Sequence, residues 1–293
     1  MVSPHRHPPR QRTRVSVDLY SALGLAQEPF STTADPAFMY ASQEHREALL
    51  RLQLSLRQRR GLNVIIGDIG VGKTTLCRKL YDDIAREEGY VIRVVDDPSF
   101  RSEYQFMAYL LQAFGVPRHG RSGYDYKECF RNFLLEMVEK GQTPILLIDE
   151  GQILSPAILE MIRMFLNFET AQFKLLQLVI FAQLELLERL RVRRNFLDRI
   201  ALRYILNPLQ EHEVAEMIAF RLEVAGYPPD RPALFTPDAV RAIYEATGGL
   251  PRPITMLCHN ALEYLILNQR GVVDREVVEQ CTQREAAFAA AVA

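Results

Sequence analysis

Residues 63–75 read Asn63-Val64-Ile65-Ile66-Gly67-Asp68-Ile69-Gly70-Val71-Gly72-Lys73-Thr74-Thr75, a short apolar run that passes straight into G-x-x-x-x-G-K-T. The run predicts a buried strand, and the stretch after it, Lys73–Glu88, predicts a helix. Gly67, Gly70 and Gly72 let the connecting backbone adopt conformations closed to other residues and approach a ligand closely. Successive N–H groups then point inward, and the first helical turn adds its partial positive charge, so that Gly67, Asp68, Ile69, Gly70, Val71 and Gly72 form a cradle for phosphate. Lys73 is expected to reach the β- and γ-phosphates of a nucleotide, ATP by this pattern, and the Thr74 hydroxyl to ligate Mg2+. Thr75, the last of the loop residues, packs or caps nearby backbone. A chance match to this pattern in a chain of such composition is on the order of one per cent, and the strand–loop–helix setting lowers it further.

Working outward, Pro144-Ile145-Leu146-Leu147-Ile148-Asp149-Glu150 is a second apolar run, ending in two carboxylates. Taken alone, such a pair is more often an acidic turn at a strand end. With a phosphate loop nearby, Asp149 is expected to support Mg2+ and Glu150 to polarise an attacking water. The run Leu178-Val179-Ile180-Phe181-Ala182 ends at Gln183, a neutral amide able to hydrogen-bond that water or the γ-phosphate. Six arginines follow, Arg189, Arg191, Arg193, Arg194, Arg199 and Arg203. Such clusters are usually a solvated face or a partner surface. Here Arg199, with Arg203 as the other candidate, is expected to act as a finger on the nucleotide of a neighbouring subunit. Further on, Gly248-Gly249-Leu250-Pro251-Arg252 sets up a turn with Pro251 opening a helix. A cation at a helix start sits poorly without an anion, so Arg252 is expected to sense the γ-phosphate rather than decorate the surface.

Further apolar runs at Tyr90–Val95 and Ala201–Leu206 alternate with helical stretches at Glu103–Phe114, Tyr126–Lys140, Ala157–Phe168 and Leu184–Arg191. Runs apolar nearly throughout imply burial on both faces, hence an α/β fold with a five-stranded parallel sheet between helix layers. After Pro208 only helices are expected, at Glu211–Ala225, Pro237–Thr247, Pro251–Asn268 and Asp274–Ala287, forming a small C-terminal all-helical lid. The expected organisation is a disordered basic tail over residues 1–16, an ATPase domain over 17–208 and the lid over 209–293. Within it, residues 17–40 form an irregular lead-in, and a helix is expected at Gln43–Arg59.

The composition fits a globular chain: 293 residues, 48% hydrophobic and 24% charged, with a formal charge of −1. That sum hides a distribution. The first fourteen residues hold four arginines and no acid, leaving 31 basic against 36 acidic residues elsewhere. A near-neutral sum argues against a bulk polycation wrapping nucleic acid. No apolar run approaches the roughly 18 to 20 residues of a membrane-spanning helix. No signal peptide is visible. Four scattered cysteines, Cys77, Cys129, Cys258 and Cys281, lack metal-ligand spacing and disulfide density, which points to a reducing, cytoplasmic setting.

In their order, these motifs resemble an AAA+ ATPase of the P-loop NTPase fold. More narrowly they resemble the ExeA/GspA-like branch, which includes ATPases of type II secretion and of MSHA-type pilus assembly. The resemblance covers about residues 18–284. It is carried by Leu23-Gly24-Leu25 through Pro29-Phe30, Asp35-Pro36-Ala37-Phe38-Met39-Tyr40, His45-Arg46-Glu47-Ala48-Leu49, Arg199-Ile200, Pro208-Leu209, Arg221-Leu222, Ala225-Gly226 and Gly249-Leu250-Pro251-Arg252. It implies an ATP hydrolase that works with Mg2+ as a homo-oligomeric ring or filament. It also implies a lead-in flanking the adenine and a membrane-embedded secretion or pilus partner that recruits the protein to the inner membrane.

Three departures stand out. The family's Asp-Glu-Ala-Gln is here Asp149-Glu150-Gly151-Gln152, and its Gly-Gln-Pro-Glu is here Ala182-Gln183-Leu184-Glu185. Both spare Asp149, Glu150 and Gln183 and bear on loop geometry. Longer secretion members also continue into a membrane helix and a peptidoglycan-binding domain that these 293 residues do not hold, so a membrane role is expected to run through a partner. The same core resembles regulators of DNA transposition that form ATP-dependent filaments on target DNA. That resemblance implies DNA as the alternative partner, with the arginine cluster and basic tail on its phosphates. No helix-turn-helix, zinc site or aromatic RNA platform accompanies it.

Overall fold

The computed structural model describes residues 20–31, 36–117, 123–191 and 193–292. The expected disordered tail, residues 1–16, lies outside the described residues. The chain divides into two compact units, one of residues 41–209 and one of residues 1–40 together with 210–293.

In the first unit, strands β1 (Leu62–Gly67), β2 (Tyr90–Val95), β3 (Thr143–Ile148), β4 (Gln177–Ala182) and β5 (Ile200–Leu206) form a five-stranded sheet in the order β2-β3-β4-β1-β5. Every pairing is parallel. Helices α1 (Gln43–Arg57), α2 (Lys73–Ile84), α3 (Glu103–Ala113), α4 (Gly123–Glu139), α5 (Pro156–Phe165), α6 (Glu185–Arg191) and α7 (Arg194–Leu197) connect and cover the strands. The three central strands are buried at every residue, which is what apolar runs between two helix layers require. Serine hydroxyls cap several helix starts: Ser42 for α1, Ser102 for α3 and Ser155 for α5.

β5 departs from the expectation of burial on both faces. It is an edge strand paired only with β1, and Ala201, Arg203 and Ile205 are exposed along it. A charged residue on an open edge discourages further strand addition. The parallel arrangement brings the carboxyl ends of β1, β3 and β4 to one edge of the sheet, where ligands of open α/β folds bind.

The second unit contains α8 (Glu211–Val224), α9 (Pro237–Thr247), α10 (Pro251–Asn268) and α11 (Arg275–Val292). The described part of the lead-in packs with these helices. The Ala26 N–H donates to the Ala225 carbonyl at 2.8 Å, and the Tyr40 hydroxyl donates to Glu216 at 2.5 Å. Phe30 is fully buried and meets Phe235 edge-on, with ring centroids 5.8 Å apart. Arg221 is 8% exposed and donates to the Phe38 carbonyl and to Thr255 Oγ1, each at 3.1 Å. A buried guanidinium held by neutral acceptors is costly unless every contact is made, so the segment around Phe38 is fixed by necessity. Among the described residues no helix is long and apolar enough to cross a membrane.

Candidate active site

β1 delivers Gly67 to the sheet edge, and the loop turns through Gly70 (φ 86°) and Gly72 (φ 101°) into α2. Left-handed conformations at two glycines separated by one residue fold the backbone into a concave nest of N–H groups. Gly67 meets a different constraint. A Cβ there would lie 2.8 Å from both the Leu206 carbonyl and a Val71 methyl, so the loop passes too close to β5 for any side chain. Lys73, in the first turn of α2, is 7% exposed and donates to the carbonyls of Gly67 (2.9 Å) and Asp68 (2.8 Å). Desolvation holds the Lys73 ammonium below its ordinary pKa, opposed by the carboxylates of Glu150, Asp149 and Asp68. Carbonyls are weak partners for a desolvated cation, and a phosphate oxygen would be a stronger one.

β3 carries Asp149 to the same edge. The Thr74 hydroxyl donates to Asp149 Oδ2 at 2.7 Å, and the Glu150 N–H donates to Oδ1 at 3.0 Å. Burial raises the Asp149 pKa, and these two hydrogen bonds oppose the rise. Thr74 and Asp149 thus present paired oxygens beside the phosphate cradle, the hard donor set that Mg2+ takes together with nucleotide oxygens and water. Among the described residues no cluster of three or more His, Cys, Asp or Glu could hold a metal unaided.

Glu150 adopts φ 52° and opens a 3-10 turn, Gly151–Ile153. A left-handed glutamate is disfavoured by roughly 1–2 kcal/mol and persists only where its surroundings hold it. Gln152 Nε2 donates to Glu150 Oε2 at 2.5 Å, while Gln152 Oε1 accepts from the Gln183 N–H at 3.1 Å. Gln183 Nε2 reaches the same Glu150 oxygen at 3.4 Å. Arg189 of α6 donates to the carbonyls of Gln152 and Leu154, fixing the turn from behind. The structure therefore brings together Lys73, Thr74, Asp149, Glu150 and Gln183. It adds Gln152 and Arg189, whose contacts depend on a turn that no periodicity reveals.

Gly151 packs directly on the end of β4. A Cβ on Gly151 would lie 2.3 Å from a methyl of Ile180 and 3.2 Å from Ala182 Cβ. Gly151→Ala is therefore expected to cost about 1–3 kcal/mol by overpacking. Adding Ala182→Gly should return part of that loss, which a double-mutant cycle by chemical denaturation would measure.

The arginines separate by partner. Arg189 is committed to the turn, Arg193 pairs with Glu160 at 3.0 Å, and Arg203 donates to the Leu197 carbonyl. Arg199 donates to Asn167 Oδ1 at 2.5 Å and immediately precedes Ile200, which pairs with Leu62 at the start of β1. The loop leaves from the other end of β1, about 17 Å away at some 3.3 Å per residue. Arg199 is thus not brought to the phosphate cradle of its own chain. Arg252 is exposed in the first turn of α10, in the other unit. Arg163, Arg191, Arg193 and Arg194 line a surface cavity of about 560 Å3 that also contains Glu160.

A glycine cradle at a strand–helix junction, with a lysine, a threonine and a neighbouring acidic strand end, defines a P-loop nucleoside-triphosphatase fold. Residues 56–190 match the AAA domain family, and the sheet unit is accordingly an AAA domain of the AAA+ type. The chain is 35% identical over 242 residues to General secretion pathway protein A of Aeromonas hydrophila, covering 82% of this chain and 43% of that protein. It thus spans less than half the length of this curated relative.

Solved structures show the same fold. Drosophila ORC bound to DNA aligns with a TM-score of 0.66 at 18% identity over 96% of this chain and 70% of that chain. Aeropyrum pernix ORC2 aligns at 0.61 and 15%, over 87% and 71%. The Thermotoga maritima RuvB Holliday junction branch migration motor aligns at 0.54 and 16%, over 84% and 72%.

Proposed function

We propose that the chain is a Mg2+-dependent ATPase that hydrolyses ATP between copies of itself and thereby drives or regulates assembly of a secretion or pilus system. The observation that carries the hydrolysis reading is the convergence of Lys73, Thr74, Asp149, Glu150 and Gln183 at one sheet edge. In this reading Gly67–Thr75 holds the phosphates, with Lys73 on the β- and γ-phosphates. Thr74 and Asp149 hold Mg2+, which neutralises charge on the phosphate oxygens when bound. Glu150 takes the proton of the attacking water, and Gln183 hydrogen-bonds that water or the γ-phosphate and senses the phosphate's loss. Arg252 senses the γ-phosphate. Arg199 serves the nucleotide of the next copy in a ring or filament, a role its distance from its own loop supports.

The finger has a direct test. Arg199→Ala and Glu150→Gln chains, each inactive alone, are expected to regain hydrolysis when mixed, because some interfaces then pair an intact loop with an intact arginine. No recovery at any mixing ratio would overturn action between subunits.

The similarity to General secretion pathway protein A supports the secretion or pilus assignment, with a membrane-embedded partner recruiting the protein to the inner membrane. The arginine-lined cavity on α5 to α7 favours a second reading, a nucleotide-switched DNA-binding regulator of transposition. DNA binding measured with and without a non-hydrolysable ATP analogue, across a salt series, separates the two. For six to ten phosphate contacts, the second reading expects affinity to fall about 10^3- to 10^5-fold between 50 and 200 mM salt. The first expects no analogue-dependent DNA binding.

A further inference from the structure

The phosphate loop is braced by a residue that its own motif does not contain. His45, in the first turn of α1 and 26 positions before Val71, is 4% exposed. Its Nε2 lies 3.0 Å from the Val71 carbonyl, and its Nδ1 lies 2.7 Å from the Ser42 hydroxyl. A carbonyl only accepts, so Nε2 carries the proton. The Ser42 oxygen already accepts from the His45 backbone N–H at 3.3 Å, and its hydroxyl proton is available for Nδ1. A neutral ring with one proton satisfies this whole chain, and the imidazole is fixed at both nitrogens. Its mounting is fixed too. Glu44 accepts from the Tyr204 hydroxyl of β5 at 3.0 Å and from Asn207 Nδ2 at 3.5 Å, which ties the same helical turn to the sheet edge.

Val71 C=O and Gly72 N–H belong to one planar trans peptide and point in opposite directions. Holding the carbonyl therefore aims the amide. The fit is close, since a Cβ on Gly72 would lie 2.6 Å from His45 Nε2. We propose that His45 is a positioning residue for nucleotide binding, whose imidazole holds the Val71 carbonyl and so directs the Gly72 N–H at the bound phosphate. This inference rests on the nucleotide reading of the loop.

The test is the affinity for Mg·ADP and for a slowly hydrolysed ATP analogue, by fluorescence titration, in wild type, His45→Phe, His45→Gln and Ser42→Ala. His45→Phe keeps a ring but removes the donor, and is expected to weaken ADP binding about tenfold, or 1.4 kcal/mol. His45→Gln can still donate to the carbonyl and should stay within about threefold of wild type. Turnover at saturating ATP should remain within about threefold in both, because Glu150 and Gln183 are untouched. In nucleotide-free protein, amide exchange at 71–73 should be faster in His45→Phe than in His45→Gln.

Wild-type affinity in a folded His45→Phe protein would overturn the proposal, as would His45→Gln binding as weakly as His45→Phe. If His45→Phe does not fold, Ser42→Ala keeps the ring and frees Nδ1, and unaltered ADP affinity and unaltered exchange at 71–73 there would overturn it equally. Failure of the wild-type protein to bind either nucleotide would instead overturn the ATPase reading.

Discussion

Glu150→Gln is expected to bind ATP within about threefold of wild type and to lose turnover about a hundred- to ten-thousandfold, the range supplied by a general base. The substitution keeps shape and hydrogen-bonding reach, so Gln152 and Gln183 retain an oxygen to donate to. What disappears is the ability to take a proton from water. Asp149, Thr74 and Lys73 are unchanged, so nucleotide and metal should still bind, and the nucleotide-bound assembly should accumulate. Phosphate release, measured beside nucleotide affinity, separates these outcomes. Steady-state hydrolysis at the wild-type rate would show that another group activates the water.

Lys73→Ala is expected to weaken ATP binding by a hundredfold or more, about 2.7 kcal/mol. Its ammonium is buried among the loop carbonyls, so a phosphate gains a desolvated cation at short range and loses it entirely in the variant. The nucleotide-free protein should be less affected. Lys73 spends part of its binding capacity on the loop itself and sits below its ordinary pKa through desolvation. Removing the charge relieves that penalty as well as the two hydrogen bonds. Thermal melting without nucleotide, beside a titration with ATP, measures both sides. Unaltered ATP affinity would overturn the loop assignment.

Much of the site could be read from the chain because its parts are local. The run from Asn63 to Thr75 encodes strand, cradle and helix within thirteen consecutive residues. Asp149 and Glu150 close an apolar run whose direction is fixed by parallel pairing. Contacts across long sequence separations were less accessible. His45 meets Val71 only because α1 folds back beside the loop. Gln152 and Arg189 matter through a turn whose tightness depends on Gly151 against Ile180. Six clustered arginines look alike in sequence, yet their partners range from backbone carbonyls to Asn167 and Glu160. The edge position of β5 did have a signal, Arg203 in mid-strand, which a strand buried on both faces would not tolerate.

The lead-in has no apolar period of its own. It becomes ordered by bonds to residues about two hundred positions later, Ala26 to Ala225 and Phe38 to Arg221. The helical unit is therefore discontinuous in sequence, and the sheet unit is threaded between its two parts as a continuous insert, leaving at Tyr40–Ala41 and returning at Leu209–Gln210. During synthesis the insert is finished first, while residues 20–40 must wait, undocked, for α8 and α10 to emerge. Helices made after the insert thus decide when the earliest described residues find their place. An excised 210–293 fragment would lack the Phe38 carbonyl that accepts from Arg221, and would expose the pocket that Phe30 fills beside Phe235.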